Sequence, residues 1–183
     1  MSKGKIVFFV IAFAIVATIV GVGIFVMVSG NRQRVNGTPQ QEQVHYHAIF
    51  EVYVNDELQD YSDFRYMEFE PCGEDHIGQT PDEVQLEKAH LHDFVDDVVH
   101  VHISGATWGD LFKNIRVELQ QPLTAYEDGK VVENILEKPI KQDSRVLLIT
   151  GSGAGAEDKL SKMPEIEYLR EVESQSELCG SGN

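Results

Sequence analysis

The sequence predicts an α+β fold: a strand-rich, mainly antiparallel sheet with one packed helix, behind a single N-terminal transmembrane helix. Three observations predict it. An uncharged apolar run covers Ile6 to Val28. Apolar and polar residues alternate from Val44 to Val54, as a strand with one buried face requires. An apolar stripe Trp108, Leu111, Phe112 and Ile115 succeeds the helix-starting residue Thr107.

The N-terminal run comes first. At ~1.5 Å per residue it is long enough for the ~30 Å hydrocarbon core of a bilayer. A cleaved signal peptide has a shorter apolar region, about 7–15 residues, although Val28-Ser29-Gly30 resembles a cleavage site. No cysteine stands directly behind it to carry a lipid, so residues 1–30 read as an uncleaved transmembrane signal anchor. Lys3 and Lys5 precede the run and Arg32 and Arg34 lie beyond it, which orients the helix only weakly. The acidic character of the chain beyond Arg34 favours a single-pass cell-membrane protein with an extracytoplasmic C-terminal domain. Residues 31–43 read as a polar tether, 44–150 as a His-rich α+β domain, 151–155 as a Gly-rich linker, and 156–183 as an acidic tail, partly helical or disordered.

Within the domain, Asn55-Asp56 supplies a tight turn from the first strand into a partner near Leu58 to Phe69. Thr80-Pro81-Asp82-Glu83 combines an N-cap, a first-turn proline and an acid three residues after the cap, which predicts a short helix to about Lys88. Val98 to Ile103 is a second clear strand. Asp110 stands three residues after Thr107 and strengthens that helix start. Val117 to Tyr126 and Lys130 to Ile135 flank the turn Asp128-Gly129 as a hairpin, and Arg145 to Thr150 is the last strand. Beyond it, Leu160, Met163, Ile166, Leu169 and Val172 recur every three residues around Pro164, a candidate helix for docking a protein partner.

Charge narrows the function. Beyond Arg34 lie all 30 acidic residues and only 11 of the 15 lysines and arginines. Such a surface repels nucleic acid, whose binding needs basic clusters, and attracts cations. Cys72 and Cys179 form no CxxC pair, so a zinc ribbon or thioredoxin-type centre is unsupported; they pair with each other or stay free.

Six of the seven histidines form three His-x-His pairs: His45 and His47, His90 and His92, His100 and His102. Residues i and i+2 of a strand share a face about 6.5–7 Å apart, close enough for two imidazoles to approach one ion. Parity puts His45 and His47 opposite Ala48, Phe50, Val52 and Val54, and His100 and His102 opposite Val99, Val101 and Ile103. A hairpin turn at Val95-Asp96-Asp97 then sets Phe94 against Val98, His92 against His100 and His90 against His102. Neutral imidazoles in this number suit transition metals, with Asp93 and Glu51 as supporting acceptors or an extra ligand. The seventh, His76, stands alone.

Two resemblances accompany this pattern. The strings His45-Tyr46-His47-Ala48, Val52-Tyr53-Val54-Asn55, His90-Leu91-His92-Asp93, Val99-His100-Val101 and Thr107-Trp108-Gly109-Asp110-Leu111-Phe112 resemble a group of uncharacterised membrane-anchored proteins. That group has a single N-terminal helix and then similar segments. Here Asp56 stands where the group has glycine and His102 where it has glutamate. The resemblance implies the architecture and no established activity. His45-x-His47-x3-Glu51 and Pro71-x-Gly73-x2-His76 look like the ligand motifs of cupins, which implies a β-barrel and a site of His45, His47, Glu51 and His76. The flanking cupin glycines are missing, and four histidines stay outside that site.

The sequence therefore points to a tethered, non-enzymatic domain that binds zinc or copper through His45, His47, His90, His92, His100 and His102. With no Met-rich stretch or CxxC to favour Cu(I), Zn(II) or Cu(II) is preferred. Two alternatives stand beside it. One is a metal enzyme with an open three-histidine site and Glu51 or Asp93 as base. The other is an acidic adaptor module without metal.

Overall fold

A central strand organises the domain. In the computed structural model, which describes residues 42–69, 80–151 and 155–175, β1 (Gln43–Val54) is twelve residues long and pairs on both sides. Its first half runs antiparallel to β4 (Val98–Ile103), with His47 opposite His100 and Ala48 opposite Val99. Its second half runs parallel to β7 (Arg145–Thr150), with Glu51 opposite Leu147. The two-residue β2 (Glu57–Leu58) folds back on β1 through Asn55 and Asp56, both at positive φ as a tight hairpin turn requires. β3 (Ala89–His90) borders β4, and β5 (Leu123–Glu127) with β6 (Lys130–Val132) borders β7.

Four helices complete the described residues. α1 (Pro81–Lys88) and α2 (Trp108–Asn114) each begin with a full capping box, Thr80 with Glu83 and Thr107 with Asp110. α3 (Ala156–Lys162) and α4 (Ile166–Gln175) come after β7.

The two faces of the sheet are both covered. Even-numbered β1 residues Ala48, Phe50 and Val52 join Val99, Val101, Val146 and Leu148 under Trp108, Leu111 and Phe112 of α2. On the other face Ile49, Val98, Leu147 and Ile149 meet Met163 and Leu169 of the C-terminal segment. Lys159 Nζ bonds Asp56 Oδ1 at 2.8 Å, Arg145 Nη2 donates to Met163 O at 3.0 Å, and Tyr168 Oη donates to Asp97 Oδ1 at 2.8 Å. These polar ties fasten both tail helices to the sheet.

The structure corrects the expected fold class. The sheet is mixed, with a parallel β1–β7 pairing at its centre, and four helices rather than one lie against it. Period-two alternation is the same for parallel and antiparallel strands, so it could not reveal this; the unbroken apolar run Val146 to Ile149 is the mark of a strand buried on both faces. The sheet is also open, with β3 and β6 at its edges, which is not the cupin-like barrel. The partner strand expected from Leu58 to Phe69 shrinks to β2, succeeded by a 3-10 turn at Phe64–Tyr66.

The membrane assignment is corrected too. No helix among the described residues is long and apolar enough to cross a membrane. The longest, α4, has ten residues, or about 15 Å, and carries Glu167, Arg170, Glu171 and Glu173. The run Ile6 to Val28, on which the transmembrane anchor and the single-pass, extracytoplasmic location rested, lies outside the described residues, and the structure supports neither. Cys72, His76 and Cys179 lie outside them as well.

Candidate metal centre

Strand parity brings all three histidine pairs to one face. β1 supplies His45 and His47, β4 supplies His100 and His102, and the β3 edge supplies His90 and His92. The expected hairpin register is off by two residues: His90, not His92, is opposite His100. The turn sits earlier, with Asp93 and Phe94 at positive φ and Val95 N–H donating to His92 O at 3.0 Å. A shift of two keeps every side chain on its face, so the patch survives the error.

The six rings form a two-by-three grid. Along one row, the centroids of His47 and His100 are 4.3 Å apart and those of His100 and His92 are 4.8 Å apart. Along the other, His45 and His102 are 5.0 Å apart and His102 and His90 are 4.8 Å apart. The rows join at the ends, 4.9 Å between His45 and His47 and 4.5 Å between His90 and His92. Two three-histidine groups bring their ligand atoms within 4.8 Å of one another: His45, His100 and His102, and His90, His92 and His102. Tetrahedral zinc with bonds of about 2.0–2.1 Å spaces its nitrogens about 3.4 Å apart, within reach of small side-chain rotations.

Backbone carbonyls decide which nitrogen faces the grid. His90 Nδ1 lies 2.8 Å from Leu86 O near the end of α1, and His92 Nδ1 lies 2.8 Å from Glu68 O. A carbonyl only accepts, so Nδ1 carries the hydrogen and Nε2 the lone pair in both rings. Glu68 reaches that position because Met67 forms a parallel bridge with Leu91 and Glu68 N–H donates to Leu91 O at 2.8 Å. Asn114 of α2 holds the same turn of α1, donating to Gln85 O at 2.7 Å and Ala89 O at 2.8 Å. The Nε2 atoms of His90 and His102 are buried and have no hydrogen-bond partner, which is costly for a polar atom unless something is bound there.

His47 has a different place. Its Nδ1 lies 2.8 Å from Glu173 Oε1 on α4, and its Nε2 lies 3.0 Å from His100 Nδ1. The carboxylate takes the His47 Nδ1 hydrogen, so His47 Nε2 accepts from His100 Nδ1–H, leaving the His100 lone pair on Nε2. His47 thus fixes the His100 ring and belongs to neither three-histidine group. Arg170 bonds both Glu173, at 2.7 Å, and Asp143, at 2.6 Å, and steadies that carboxylate. Glu87 Oε2 of α1 is 3.4 Å from His102 Nδ1. Nothing in the sequence marks the two carbonyls. Glu173 carried one signal, its position next to the apolar stripe of the tail.

The environment favours the neutral form of His45, His47, His90, His92 and His100. Burial first, then neighbouring histidines, holds His90 and His100 well below the usual histidine range. Burial with the neighbouring rings His47 and His102 lowers His45 to about 4. Burial also lowers His47 and His92, against the pull of Glu173 and of the Glu68 carbonyl. Neutral rings offer lone pairs to a cation.

The two acids expected beside the site separate. Asp93 lies in the turn beside His92 and favours its charged form. Glu51 belongs to neither three-histidine group; burial and Asp97 raise its carboxyl. None of the six histidines lines the cavity of about 480 Å³ beneath the β5–β6 hairpin, which is bordered by Leu123, Ala125, Val132 and Ile135.

The fold and the grid together define an α+β domain with histidine groups that could hold a metal ion. Compared with known proteins, the chain matches no family model, no curated protein and no solved structure.

Proposed function

We propose that this domain binds a transition-metal ion, zinc or copper(II), through three-histidine sets drawn from His45, His90, His92, His100 and His102. The observation that carries the reading is the inner group: His90 and His92 held at Nδ1 by carbonyls, with the buried, unpartnered Nε2 atoms of His90 and His102 beside them. A purely structural histidine cluster would satisfy those nitrogens with protein acceptors or donors. Imidazole-only ligation suits both metals, and the acidic surface raises the local concentration of either cation.

The test is metal content and thermal stability of the full-length chain, with and without chelator. Zinc or copper at about 100 times its Kd is expected to stabilise the fold by about 2.7 kcal/mol. Absence of co-purified metal, together with a melting temperature that neither ion moves, sinks the proposal.

A further inference from the structure

We infer that the grid moves one ion between two overlapping sites sharing His102, an outer capture site with His45 and His100 and an inner holding site with His90 and His92. The inference rests on the metal-binding reading and deepens it: the domain takes up an ion directionally, from solvent to interior.

Exposure grades the two groups. His45 is exposed and His102 half-buried, whereas His100, His90 and His92 are 1%, 3% and 0% exposed. An ion arriving from solvent therefore meets His45 first. His102 lies almost midway between the two ends of its row, 5.0 Å from His45 and 4.8 Å from His90 by ring centroid. Its Nδ1 faces Glu87, so its buried Nε2 is the atom offered to the grid. One lone pair binds one ion at a time, which makes the two sites alternatives rather than a pair.

Transfer is then a ligand exchange. The bonds from the ion to His45 and His100 break as those to His90 and His92 form, and the bond to His102 Nε2 persists. Three imidazole lone pairs hold the ion before and after, its charge is unchanged and no proton moves. The inner site is favoured because Leu86 O and Glu68 O already fix its rings, so less side-chain freedom is lost on binding. His45 meets the grid through ring contacts alone and loses more.

The experiment is zinc titration of the full-length chain against a competing dye, with rapid-mixing measurement of both rates. One zinc ion per chain is expected. His45→Ala is expected to slow association and dissociation together, by about tenfold each, because it removes the path and not the destination. His92→Asn keeps a donor for Glu68 O but has no Nε2, and is expected to weaken affinity by about 100-fold while capture stays fast. Two zinc ions bound with similar affinity would overturn the shared-ligand transfer, as would a His45→Ala variant that weakens affinity as much as His92→Asn or leaves both rates unaltered. A chain that binds no zinc or copper at all overturns the metal function itself, a result distinct from these.

Discussion

The His45–His47 pair and the His90–His92 pair have the same spacing and lie on the same face of the same sheet, yet the fold treats them oppositely. The β3 pair is fixed by backbone. Leu86 O and Glu68 O each hold a ring at 2.8 Å, and both histidines are buried. The β1 pair is fixed by side chains or hardly at all: His47 leans on Glu173 of a helix more than a hundred residues away in sequence, and His45 is exposed. A backbone carbonyl is held by the chain on both sides, whereas a glutamate carboxylate turns on its own side-chain torsions. A rigid end and an adjustable end in one grid suit retention and exchange respectively.

The largest expected effect breaks the rigid end. His90→Ala removes the shorter of two side-chain bonds to Leu86 O, leaving the 3.3 Å bond from Asn114 Nδ2, and opens a cavity, at a cost of about 2–3 kcal/mol in metal-free stability. Urea unfolding measures that cost, and zinc affinity should fall in parallel by about 100-fold. An unchanged unfolding midpoint would show that the carbonyl contact is incidental.

Acid attacks both ends through the rings. His45, His47, His90, His92 and His100 all have folded-state affinities for protons below the usual value of 6.5. The unfolded chain therefore binds more protons in acid. The stability of the metal-free fold should be fully present above about pH 6.5 and decline as pH falls towards the folded values. Each nearly inaccessible ring, His90 and His100, contributes up to about 1.4 kcal/mol per pH unit across that window. Glu173 beside His47, and Asp93 and Glu68 near His92, oppose the decline, while Arg170 adds to it. Urea midpoints at pH 8, 6 and 5 give the slope, and a flat profile would contradict the burial argument.

The smallest effect sharpens the adjustable end. Glu173→Gln keeps an acceptor for His47 Nδ1 but removes the charge that polarises the His47–His100 chain. Zinc capture should slow by about tenfold or less, with affinity and the unfolding midpoint nearly unmoved. A loss of affinity as large as that of His90→Ala would make the two ends equivalent.

Much of the centre was legible because strand parity is robust. Alternation alone set His45, His47, His100 and His102 on one side of their strands, and an error of two residues in the β3–β4 register left the patch whole. The capping boxes at Thr80 and Thr107 were equally readable, since an N-cap and its partner three residues on interact within one turn. The division of labour among the histidines was not readable. Which nitrogen of a ring carries the lone pair depends on which atom faces its Nδ1, and for His47 that atom comes from α4.

Local interactions, then, were determined by the sequence itself: the faces of the strands, the starts of α1 and α2, the turns at Asn55-Asp56 and Asp128-Gly129, and the richness in paired histidines. Tertiary structure decided everything that depends on distant partners. It placed β7 parallel beside β1, laid the charged tail across the histidine-bearing face, and used Leu86 O, Glu68 O and Glu173 to aim the rings. A side chain's facing is set by its own backbone, but its tautomer, burial and proton affinity are set by the groups packed against it.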